Sequence, residues 1–209
     1  MTIHAGKINA RGQLNTRLIP APKARPAPMR WTLRNRMRWD FIKGWMGDRM
    51  AQLLAALFGI PAMIATLEEE LIRANGERIS YGIVSYRMIT TAFVNFVVDQ
   101  LQVETVVFGD FKYHDSGVGI TDPAIGDVDI ETTDGEARAT GSQEEGASAN
   151  IYKSIGTIAY TTTKAITEHG LFNASTGPTL MDRSEFAAIN VVNLDSIQFT
   201  YQLTLTPGG

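Results

Sequence analysis

The run that decides the fold closes the chain: Ser196-Ile197-Gln198-Phe199-Thr200-Tyr201-Gln202-Leu203-Thr204-Leu205-Thr206. Ile197, Phe199, Tyr201, Leu203 and Leu205 fall on one side, and Gln198, Thr200, Gln202 and Thr204 on the other. Alternation with period two is the pattern of a strand with one buried and one wet face. Working back toward the N-terminus, further β-rich runs occupy 184–192, 164–173, 151–163 and 105–113. Turn-rich stretches separate them, such as Asp115-Ser116-Gly117 and Ala174-Ser175-Thr176-Gly177-Pro178. Hairpin-length connections without intervening helices predict an antiparallel β-sandwich over 105–209. Residues 117–150, rich in Gly, Asp, Glu, Ala and Ser, are too many for a turn and imply a surface crossing or one or two edge strands.

Ahead of that body the pattern changes twice. Residues 1–30 hold Pro20, Pro22, Pro26 and Pro28, half of the eight prolines. Proline fixes φ and deletes an amide donor, so 18–29 reads as an extended, polyproline-like arm with no order of its own. Residues 31–104 read as a helical anchor and connector. Met37, Phe41 and Trp45 repeat at every fourth position, Ile42, Met46, Met50, Leu53, Leu54 and Leu57 continue the stripe, and Gly59 and Pro61 end it. A second helix is expected over 62–74, which contains Glu68, Glu69 and Glu70; 90–101 reads as a third helix, with Val94, Val97, Val98 and Leu101 on one face, or as a strand by its β-branched content, and helix is the favoured reading. The fold class is therefore mainly β with an α-helical N-terminal part: extended arm, helices, then antiparallel sandwich.

The 209 residues include no cysteine, which removes disulfides, thiolate metal sites and a cysteine nucleophile, and leaves His4, His114 and His169 as the imidazoles. Residues 1–50 carry eleven Lys or Arg against Asp40 and Asp48, a net charge of +9, so the remainder carries −12. The cationic end suits phosphate, lipid headgroups or an acidic protein surface. No apolar stretch follows the first basic residues as a secretory leader requires, the prolines break a presequence helix, and no run is long enough to span a bilayer.

Asp127, Asp129 and Glu131 alternate near Asp122, Asp134 and Glu136; the spacing is not that of a calcium loop, and a solvated acidic edge is the favoured reading. Asp110, His114, Asp115 and Ser116 lack a nucleophile elbow, and no phosphate-binding or dinucleotide motif occurs. His114 and His169 read as hydrogen-bonded residues at strand ends. No catalytic residue, metal ligand or cofactor is expected. The segment 29–49 interleaves arginines with tryptophans, and Trp31, Arg34, Arg38, Trp39, Phe41 and Trp45 are the candidate partner-binding residues. A protein partner ranks ahead of nucleic acid, and nucleic acid ahead of a membrane, because a nucleic-acid arm is usually backed by a basic body.

Ala165-Ile166-Thr167-Glu168-His169-Gly170-Leu171-Phe172, followed by Leu180-Met181-Asp182-Arg183-Ser184-Glu185-Phe186-Ala187-Ala188-Ile189-Asn190-Val191, resembles a group of tailed-bacteriophage virion structural proteins. These are variously called tail-fibre, collar or head-decoration proteins. The likeness covers 105–209. It implies a multi-copy, non-enzymatic component of the virion, assembled in the host cytoplasm and contacting capsid, portal, neck or tail subunits and copies of itself. The N-terminal hundred residues lie outside the shared pattern. Within the body, Arg183 with Asp182 or Glu185 reads as a surface pair. The alternatives are a nucleic-acid-associated virion protein using 29–49, or a receptor- or glycan-binding fibre module using Tyr113, Tyr152 and Phe172.

Overall fold

The computed structural model describes residues 3–8, 14–19, 23–58, 62–86, 88–102 and 111–206. In chain order these form β1 (Ile3–Ile8), β2 (Leu14–Ile19), β3 (Arg25–Pro26), α1 (Met29–Arg36), α2 (Trp39–Phe58), β4 (Ala62–Ile72), β5 (Arg78–Tyr86), β6 (Met88–Ile89) and α3 (Thr91–Gln102). The second half contributes β7 (Tyr113–Gly117), β8 (Ala139–Thr140), β9 (Ser142–Glu145), β10 (Ile151–Ala159), β11 (Lys164–Phe172), β12 (Leu180–Val191) and β13 (Ser196–Thr206). The mainly β class with helices in the N-terminal part is as the sequence predicts, although the three helices are not the three expected. The strand expected over 105–113 falls largely outside the described residues, and β7 begins at its last residue.

Two sheets carry the body. One has the order β3-β5-β4-β13-β10-β9 and the other β6-β12-β11-β7-β8; β1 and β2 form a separate two-stranded ribbon. All pairings are antiparallel except the short β3–β5 ladder. The main core fills the space between the sheets, with Leu67, Leu71 and Val84 from β4 and β5, Ile197 and Phe199 from β13, and Ile166, Phe186 and Ile189 from β11 and β12. A smaller cluster around Phe93, Phe111, Leu171, Met181 and Tyr201 seats α3 against one end. Thr90 caps that helix: its hydroxyl accepts from Phe93 N at 3.2 Å and donates to Leu180 O at 2.6 Å. The edge strands β8 and β9 lie inside 117–150, as the length of that segment implies.

The helix expected over 62–74 is instead β4. It pairs with β13 residue for residue from Ala62↔Thr206 to Ile72↔Ser196. Ala65, Leu67, Glu69 and Leu71 turn to the buried face in strict alternation. The Glu-, Leu- and Ala-rich composition favours a helix locally, but eleven paired positions along the most regular strand of the chain outweigh that preference. The sheets consequently recruit strands from residue 25 onward and do not begin near 105. The described part of the proline-rich arm is extended, yet it is docked: Arg25 and Pro26 pair with Ile79 and Ser80, and Ala27 N donates to Ser80 O at 2.8 Å.

Candidate partner-binding site

The helical segment splits at Met37 and Arg38, and the two helices have different jobs. α1 closes an open side of the sandwich. β6 covers β12 only at Asp182 and Arg183, so the later backbone groups of β12 need partners. Trp31 Nε1 donates to Ala187 O and Ala188 O at 3.1 and 3.0 Å. Asn35 joins the two sheets: its Nδ2 donates to Val84 O of β5 at 2.8 Å, and its Oδ1 accepts from Ala187 N of β12 at 2.9 Å. Trp31 also meets Tyr81 edge-on, with ring centroids 4.4 Å apart.

α2 approaches β5 at one close point. A Cβ on Gly44 would lie 2.7 Å from Tyr86 Cβ and 2.8 Å from Tyr86 O, so only glycine admits this contact without displacing backbone. Phe41 packs edge-on to Tyr86 beside it at 5.2 Å. The rest of the helix is lightly covered: Trp39, Met46, Met50, Leu53, Leu57 and Phe58 are each at least half exposed, and Trp45 is 44% exposed. Of the apolar stripe, Phe41, Ile42 and Leu54 are half-buried and the remainder is exposed. Lys43 lies 5.5 Å from the Trp39 ring centre and Arg49 5.9 Å from that of Trp45, setting cations among the aromatics. Between the helices and β5 runs a groove of about 570 Å³, lined by Asn35, Arg36, Phe41, Trp45, Tyr81 and Tyr86 among others. Asp48 is half-buried on α2; its Oδ2 has no hydrogen-bond partner among the described residues, and burial, opposed by Arg49, pushes its carboxyl up to about 6.

The six sequence-derived residues therefore separate. Trp31 is a core residue, which corrects its assignment as a partner anchor; its indole completes the edge of β12. Arg38 forms an ion pair with buried Glu185. Arg34 is exposed near Ala188 O. Trp39 and Trp45 project from α2, and Phe41 and Trp45 line the groove. Asn35, Gly44, Tyr81 and Tyr86 complete the site and carried no sequence signal, since none belongs to an apolar period or a known motif.

The polar residues of the body are structural. Arg183 is not at the surface but 3% exposed, paired through Nε to Glu168 at 2.9 Å and through Nη1 to Asp127 at 3.0 Å, with Glu131 at 3.3 Å from Nη2. It reaches these partners because it lies on β12 beside Gly170 of β11, under the long loop. The alternating acids are thus not a plain solvated edge: Asp127 and Glu131 meet Arg183, and Asp129 meets Arg138, which also holds Asp115 at 2.8 Å. Burial raises the Asp115 carboxyl against the pull of Arg138. Backbone and hydroxyl donation from Thr121 lowers that of Glu131. His114 and His169 sit inside β7 and β11, not at strand ends. They are fully buried, with His114 Nδ1 2.9 Å from His169 Nε2 and His114 Nε2 2.9 Å from Ser154 Oγ. Ser116 donates to Asp134 at 2.5 Å and accepts from Tyr160 at 3.2 Å. Asp110 lies outside the described residues. Among the described residues no group of three His, Cys, Asp or Glu is arranged to hold a metal ion, and no helix is long and apolar enough to cross a membrane. Phe172 is wholly buried with Arg138 3.9 Å over its ring, and Tyr152 is tied to Phe111 O at 2.6 Å, so the aromatic trio proposed for glycan binding does not form a platform.

Compared with protein-family models, with curated proteins and with solved structures, the chain matches none.

Proposed function

We propose that this chain is a non-enzymatic structural protein of a tailed-phage virion. Multiple copies assemble on the capsid surface or at the neck or tail attachment, with the N-terminal helices making contacts to capsid, portal, neck or tail subunits and to copies of the chain itself. The observation that carries this reading is the outward face of α2. Trp39, Trp45, Met46, Met50, Leu53, Leu57 and Phe58 share one twenty-residue helix that rests on β4 and β5 and comes closest to Tyr86 at Gly44. Isolated exposed apolar residues are ordinary, but a contiguous set of this kind marks a contact surface. Tryptophans flanked by Lys43 and Arg49 supply the residue types that dominate binding energy at protein interfaces. The resemblance over 105–209 supplies the virion setting, and its two motifs coincide with β11 and β12 at the centre of the second sheet.

The test is incorporation. The double variant Trp39→Ser/Leu57→Ser should keep the thermal stability of the parent, since both side chains are 64% exposed, and should be lost from particles purified after complementation of a phage lacking the chain. Incorporation at parental levels would contradict the reading. Retention of the parent chain on DNA or RNA, falling steeply with added salt, would favour the nucleic-acid alternative instead.

A further inference from the structure

The six-stranded sheet ends on β9, whose four residues are all exposed and whose outer side meets no other described strand. Its inner side is laddered to β10 from Ser142↔Ile155 to Glu145↔Tyr152. The outward backbone donors and acceptors of β9 are therefore open to another strand. The strand carries Glu144 and Glu145 and no basic residue, so two such edges brought together repel. At the opposite end of the chain, β1 and β2 pair, among the described residues, only with each other, from Ile3↔Ile19 to Ile8↔Leu14. A two-stranded hairpin by itself is marginal in water and gains stability from a third strand. This one holds Lys7 and Arg17 and no acidic residue.

We propose that the β1–β2 hairpin of one copy adds to the β9 edge of a second copy, continuing the six-stranded sheet across the boundary between subunits. Opposite charge selects the pairing, and the glutamates reject the like-with-like alternative. The tether excludes docking of the hairpin onto its own body. The chain leaves the hairpin at Ile19 and enters the sheet at β3, which lies on the far edge from β9. A strand added beyond β9 is six strand spacings from β3, about 29 Å. The step from Ile19 to Arg25 covers at most about 22 Å. Because donor and acceptor surfaces differ, the contact is head-to-tail, and successive copies close into a ring or run on as an array. This deepens the self-assembly part of the function proposed above and rests on it only for the statement that copies meet in a particle.

The full-length chain provides the test, by sedimentation over a range of concentrations. Two charge variants leave the Glu144–Lys153 pair untouched: Gln143→Lys/Glu145→Lys on the edge, and Lys7→Glu/Arg17→Glu on the hairpin. Each alone should weaken self-association about tenfold or more, the scale of a few exposed charge pairs turned to repulsion. Mixing the two variants should restore association, because each then offers what the other lacks. A chain lacking residues 1–19 should stay folded by circular dichroism and remain monomeric. A parent chain that is monomeric at every concentration, or charge variants that associate as the parent does, would overturn the proposal. A chain monomeric alone yet retained on particles sinks hairpin exchange and leaves the virion reading standing; association as described without incorporation does the reverse.

Discussion

Glu168 shows how much can depend on one side chain. Its Oε1 accepts from Gly119 N at 2.9 Å and Thr132 N at 2.7 Å, and its Oε2 from Glu131 N and Arg183 Nε, each at 2.9 Å. Two stretches of the long loop are thereby held to the second sheet by a single carboxylate. Gly117 is matched to it, since a Cβ there would lie 2.3 Å from Thr132 O and 2.5 Å from Glu168 Oε1. Glu168→Ala would leave the Gly119, Glu131 and Thr132 amides without their acceptor and take one of three carboxylates from Arg183, so it should cost about 3–5 kcal/mol and lower the melting temperature by about 10 °C. Glu168→Gln, which keeps the shape and one acceptor, should cost less; calorimetry on both variants checks the order. The sequence places Glu168 inside a motif and Arg183 inside another. It gives no sign that they meet, because sheet register brings together residues fifteen positions apart and then folds a remote loop over them.

Elements were legible where one local pattern acts alone. β13 is read directly from its alternation, and β10, β11 and β12 from runs bounded by turn residues. α3 was legible as a helix from Val94, Val97, Val98 and Leu101, but its packed face is Phe93, Phe96 and Val97, while Val94 and Val98 are exposed. β4 was not legible, because Glu69 occupies a buried position between Leu67 and Leu71 and so disguises the alternation. The apolar stripe of α2 was legible from its local pattern, but helical periodicity is silent about what covers such a stripe, so how much of it stays exposed was not. α2 also has a pH signature. Folding raises the Asp48 carboxyl from 3.8 to about 6, so between those values the native state keeps a proton that the unfolded state has released. Stability associated with α2 is therefore greatest at low pH and is lost as pH rises through about 6. Asp48→Asn should remove that slope and gain about 1 kcal/mol at pH 7.5 after allowance for partial solvation. Urea unfolding at pH 4.5 and 7.5 measures both effects; an unchanged slope would show that Asp48 is not the group responsible.

At the scale of the whole molecule, the chain combines a self-contained sandwich with surfaces that the sandwich leaves open. Trp31 and Asn35 close one side of the body, while much of α2 and the β9 edge are exposed. The charge asymmetry of +9 against −12 suggests a front part and a rear part, but the boundary between buried and exposed elements does not fall where the charge changes. The boundary runs through the helical pair itself, between an α1 built into the core and an α2 that is not. Limited proteolysis with mass-spectrometric mapping, on the isolated chain and on assembled particles, tests this most directly. The expected result is cleavage within 45–58 in the isolated chain, strong protection of that segment in particles, and resistance of 151–206 in each. Equal cleavage of α2 in the isolated chain and in particles would contradict it.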